Sequence, residues 1–164
     1  MSIVFIDIEV STSSNKILDL GAVNDFDAEI HTPSQGDFFN FVKDAEYIGG
    51  HNILNHDLKY LAHLDLGKKK VIDTLYLSPL MFPMRPSHKL LKDEKILSDA
   101  LNNPLLDAQK SRDLFYDEVN AFKALDDDLK EIFFNLLKDS VEFKAFFEYL
   151  GYSLPTKGIL RIFQ

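Results

Sequence analysis

The chain reads as an α/β protein with a mixed sheet, and three observations predict it. Residues 3–10 form a short apolar run rich in β-branched side chains, which is a strand signature. Two further strand-like runs follow through short turns. After residue 35 helical and strand spacings alternate, and the chain then becomes helical to its end.

The elements follow in order. STSSN at 11–15 is a turn, KILDLGAV at 16–23 a second strand, Asn24-Asp25 a hairpin turn and 28–31 a third strand. These make an N-terminal antiparallel three-strand meander. Phe38, Phe39, Val42 and Ala45 share a helical face over 35–45. A strand spans 47–51 with Gly49-Gly50 near its end, a helix 56–64, a strand 70–74 and a helical turn or two 75–81. FPMRPS at 82–87 is a loop. Residues 88–101 are irregular and basic, with His88, Lys89, Lys92 and Lys95. Pro104 opens a helix over 104–124. Asp126, Asp127 and Asp128 open another, broken near Ser140, that runs to Leu150 with Gly151 as its C′ residue.

At 164 residues, 46% hydrophobic and 27% charged, this is ordinary globular composition and one domain's worth of chain. A core over 1–125 with a helical extension over 126–164 packed on it is the expected division. The run ILRIFQ at the end reads either as a terminal strand or as the cut edge of a longer protein. Cysteine is absent, which excludes a disulfide framework, a thiolate zinc site and a cysteine nucleophile. No apolar run reaches the ~18 residues of a membrane span. The opening MSIVFIDIEV has no basic leader, so a cytoplasmic location is expected. Net charge is −8, opposite to that of a protein holding phosphates by a basic surface alone. A polyanionic substrate would need metal ions or another domain to supply positive charge.

The chemistry-bearing residues are acidic. Asp7 and Glu9 lie two apart on the first strand, so both face one way. The other face, Val4, Ile6, Ile8 and Val10, is wholly apolar. A strand buried on both faces carries two acids only if something compensates them, and a bound divalent cation does so. A strand end pointing into solvent is the plainer alternative. Asp57 falls in the first turn of the helix after Gly50, where it is either an ordinary helix-start acid or part of a site. Asn52 either caps that helix or holds a loop near the site. Asp107 lies one turn into the helix that Pro104 opens and has the same two readings.

In that order, D-x-E on the first strand, then N-x4-D-L-x-x-L at 52–61, then an Asp early in a late helix resembles the DEDD family of 3′–5′ exonucleases. LDLGAV and NHDLKYL are similar to that family's first two motifs, and the resemblance covers roughly residues 3–120. It implies a ribonuclease-H-like fold and two Mg²⁺ or Mn²⁺ ions held by Asp7, Glu9, Asp57 and Asp107. It also implies a single-stranded nucleic-acid 3′ end as substrate, DNA ahead of RNA. The stretch 73–95 followed by NNPLLDA looks like exonuclease-type domains attached to bacterial RecQ-like helicases, which implies a helicase partner.

The third motif departs from the family. One version places His five residues before the last Asp, the other Tyr four before it. Here those positions are Asn102 and Asn103, and neither takes a proton from water at neutral pH. His88 is a loop histidine that could serve instead, or contact phosphate beside Lys89 and Lys92. Asn52, Lys89 and Lys92 are the candidate substrate contacts. His51 and His56 read as packing or capping residues, with His56 turned away from Asp57. His31 and His63 carry no signal. Phe133, Phe143, Phe146, Phe147 and Tyr149 read as helix packing. Three functions follow: a metal-dependent exonuclease, a weak or inactive module that binds nucleic acid or a helicase, and a structural interaction domain.

Overall fold

The structure is a computed structural model and describes residues 1–90 and 103–154. Five strands form one mixed open sheet in the order β3-β2-β1-β4-β5. β1 (Ile3–Val10), β2 (Ile17–Asn24) and β3 (Glu29–Thr32) are the antiparallel meander. β4 (Tyr47–Gly50) and β5 (Lys70–Asp73) run parallel to β1 on its other side. The helices are α1 (Gln35–Val42), α2 (Asp57–Tyr60), α3 (Thr74–Met81), α4 (Pro104–Ala124), α5 (Asp127–Leu137) and α6 (Lys144–Leu150).

β1 is central, and its period-2 alternation divides the core. Ile3 and Phe5 join Phe115 and Phe122 of α4 and Phe146 and Phe147 of α6. Val4, Ile6 and Ile8 join Phe38 and Val42 of α1 with Ile53, Leu61 and Leu66. Phe122 stacks edge-on against both Phe146 and Phe147, at 5.6 and 5.8 Å between ring centroids. The C-terminal helices therefore share a core with the first strand. Among the described residues no helix is long and apolar enough to cross a membrane.

The helix ends follow their side chains. Asn103 Oδ1 accepts the Leu105 and Leu106 N–H groups ahead of Pro104, and Asp126 Oδ1 accepts Leu129 N–H at 2.8 Å. Gly151 takes the left-handed conformation (φ 60°) that closes α6. The break expected near Ser140 separates α5 from α6. The helix expected over 56–64 is not continuous. α2 ends at Tyr60, and i→i+3 bonds such as Leu64 N–H to Leu61 O take over. These tighter turns bury both Leu61 and Leu66 under the sheet, which one straight helical face five residues apart does not achieve. The expected basic segment, with Lys92 and Lys95, lies outside the described residues from 91 on, as does ILRIFQ.

Glu118 of α4 breaks the burial rule: it is fully buried, and neither carboxyl oxygen has a hydrogen-bond partner among the described residues. Burial first, and the Asp73 carboxylate second, push its carboxyl up to about 9, against a smaller downward pull from Arg85. The folded chain thus keeps a proton that the unfolded chain releases above the ordinary glutamate range, so stability falls as pH rises through that window. Between pH 5 and pH 8 the wild type should lose on the order of 3 kcal/mol more than Glu118→Gln. Urea unfolding at the two pH values measures it.

Candidate metal centre

Asp7 and Glu9 project from β1 onto the face covered by α4, and Asp107 descends from the first turns of that helix. One carboxylate oxygen from each lies within 4.8 Å of the others, and all three residues are half-buried. Residue 107 reaches residue 7 because of Gly21. Gly21 is the β2 partner of Asp7. A Cβ on it would lie 2.2 Å from Leu105 N and 2.4 Å from the Pro104 carbonyl carbon. The helix backbone therefore rests directly on the strand, and only glycine permits it. Gly21→Ala should lift the start of α4 and weaken Mn²⁺ affinity roughly tenfold or more. Isothermal titration of the variant with MnCl₂ checks this.

Three carboxylates without nitrogen or sulfur are a hard, all-oxygen donor set. That chemistry fits Mg²⁺ or Mn²⁺ and disfavours zinc in a tetrahedral nitrogen and sulfur site.

Asp57 does not join this group. It is 1% exposed, and its Oδ1 accepts the N–H of Ile8, between Asp7 and Glu9, at 3.0 Å. The reason lies in strand length. β4 pairs with β1 only as far as Phe5, so beyond it the β1 edge has lost its ladder partner. Asp57 takes that place. Its Oδ2 lies 3.6 Å from His56 Nδ1. Burial raises the Asp57 carboxyl from its ordinary value, with the neighbouring His56 ring and the Ile8 hydrogen bond pulling the other way. His56 is raised in turn, chiefly by the Asp57 carboxylate beside it. His56 thus faces Asp57 rather than turning from it, because its non-helical backbone (φ −123°, ψ −78°) sets the ring beside the next side chain.

Among the described residues, none of the expected histidines belongs to this group. Asn52 is left-handed (φ 64°), and its N–H donates to Asp73 Oδ1 at 2.8 Å. His88 Nδ1 lies 2.8 Å from Ser78 Oγ, and Lys89 is exposed. His51 Nδ1 lies 2.8 Å from Thr74 Oγ1, and burial pushes its pKa down to about 4, so it is neutral at pH 7. Asn102 and Lys92 lie outside the described residues.

Asp73 escaped the sequence reading. It is fully buried and accepts three backbone N–H groups, from Asn52, Leu54 and Leu75. It therefore caps α3 and ties down the loop that leads to Asp57. Its signal was present as an Asp between a strand and a helix start, the N-cap pattern. No protein-family model, curated protein or solved structure matches the chain.

Proposed function

We propose that this chain is a metal-dependent 3′–5′ exonuclease domain of ribonuclease-H-like fold, acting on single-stranded nucleic-acid ends, DNA ahead of RNA. The convergence of Asp7, Glu9 and Asp107 carries the reading. They come from opposite ends of the described core and meet at one hard-donor cluster. The strand order β3-β2-β1-β4-β5, with an antiparallel first half and a parallel second half, supports the fold assignment.

Asp7, Glu9 and Asp107 would hold the cations, two Mg²⁺ or Mn²⁺ in this reading. When bound, such ions lower the pKa of a water and stabilise charge on the phosphate and the leaving oxygen. The cations also let a chain of net charge −8 accept a phosphate backbone. Asp57 serves the site by holding Ile8 N–H, which sets the spacing of the two acids on either side of it. Attachment to a RecQ-like helicase, in the cytoplasm, belongs to the same proposal.

Asn102 favours a second reading, a weak or inactive module that keeps the fold and binds nucleic acid or a helicase. One experiment separates the two. The purified chain is incubated with 3′- and 5′-labelled single-stranded DNA and RNA in Mg²⁺, in Mn²⁺ and in EDTA. Stepwise 3′ shortening that EDTA stops is the expected result. Tight binding with no cleavage in either metal would overturn the exonuclease and leave the binding module.

A further inference from the structure

We infer that the outer edge of β5 is a docking groove for an extended peptide in which apolar and acidic residues alternate. β5 ends the sheet, and among the described residues it pairs with β4 alone. Lys70 N–H donates to Glu46 O across that pair, at 3.3 Å. Backbone groups alternate in direction along a strand, so the N–H and C=O of Val71 turn the other way, off the sheet. An open edge of this kind accepts a further strand through its main chain.

The edge lies in a cavity of about 320 Å³ that both layers of the molecule wall. Leu54 and Leu58 form the wall on the side of Val71, with which they share a core. Ala145 of α6 and Val141 before it belong to the other wall. Val141 is 70% exposed, an apolar side chain left in solvent there. Two walls receive the two faces of an added strand separately, and that sets the pattern of the occupant.

Charge distinguishes the walls. Lys69, on the Val71 side of the strand, is already engaged, because its ammonium donates to the carbonyls of Lys43 and Ala45, each at 2.6 Å. Lys70 points to the α6 side, where Glu46 and Glu148 share it at 3.0 and 3.7 Å. Lys144, exposed at the start of α6, has no ion pair among the described residues and is the open cation of the groove. A strand that sets apolar side chains over Leu54 and Leu58 sets the alternate ones toward Lys144, where a carboxylate fits. In a chain of net charge −8, that cation selects the groove over the rest of the surface for an acidic partner. The Val71 backbone and the apolar wall hold the peptide, and the exposed charge fixes which of its faces turns to α6.

The test titrates the full chain with fluorescein-labelled hexapeptides, read by polarisation. One alternates Glu and Val, one alternates Lys and Val, and one has three Glu followed by three Val. Two more carry the alternating acidic sequence N-methylated either at every Glu or at every Val. Amide exchange at Val71 is followed with and without the first peptide. Expected are saturable binding of the alternating acidic peptide alone, slower exchange at Val71, and affinity weaker by roughly fivefold in Lys144→Glu. One methylated set should lose binding and the other keep it, since only alternate amides face β5.

Equal binding of the basic or the block peptide, unchanged affinity in Lys144→Glu, unchanged exchange at Val71, equal behaviour of the two methylated sets, or no binding overturns the inference. A Val71 amide protected in the free chain as strongly as those of β1 overturns it as well. Protection that dilution removes assigns the edge to a second copy, and protection that survives dilution assigns it to another segment of this chain. The exonuclease reading stands under every one of these results, because none of the three acids lines the groove.

Discussion

Asp7→Asn is expected to abolish cleavage while leaving the fold intact. Asp7 is a half-buried member of the three-acid group and sits directly across from Gly21, where α4 rests on the sheet. Replacing one ligating oxygen by an amide nitrogen removes a charge from the donor set without changing shape. If the lost cation contributes ~4 kcal/mol of charge stabilisation to the transition state, the rate falls on the order of 10³-fold or more. Clustered like charges repel, so the metal-free variant should melt at the wild-type temperature or above it. A single-turnover assay in Mn²⁺ beside a thermal melt separates lost chemistry from lost structure. Full activity in Asp7→Asn removes the assignment.

The second large effect is structural. Asp73→Ala should cost roughly 3 kcal/mol, since three part-buried backbone N–H groups lose their acceptor together. Two of them, on Asn52 and Leu54, belong to the loop between β4 and α2, so the damage should spread to Asp57 and its hold on Ile8. Asp73→Asn keeps one carbonyl acceptor and the shape, and should cost about half as much. Urea midpoints of the three proteins test the order, and amide exchange at Ile8 reports whether Asp57 has loosened.

Much of this molecule was legible before its structure. The alternation in β1, the proline at the start of α4 and the glycine after α6 are local signals, and local physics decides them. The likeness to a known order of acids named four, Asp7, Glu9, Asp57 and Asp107, and three of them meet. The misses are of another kind. Gly21 matters only because the backbone of residues 104–105 lands on it. Asp57 bonds Ile8 only because β4 is shorter than β1. His31 meets Asp19 only through the β2–β3 register. Each depends on a partner remote in sequence, and no spacing along the chain announces it. The continuous helix over 56–64 failed because burial of Leu61 and Leu66 overrode a short stretch of helical spacing.

The seating of α4 on Gly21 also sets when the centre can exist. Asp107 leaves the ribosome about 100 residues after Asp7 and Glu9, once all five strands of the described sheet have been made. At roughly 5–20 residues per second, several seconds separate them. The helix that carries Asp107 is held by Phe115 and Phe122 against Phe146 and Phe147 of α6, which emerge later still. A chain interrupted after α3 has all five described strands and two of the three acids, yet not the third carboxylate of the group. The three-acid group is thereby reserved for a chain translated at least through α6, and a copy cut short of it lacks either the third carboxylate or the packing that holds it in place.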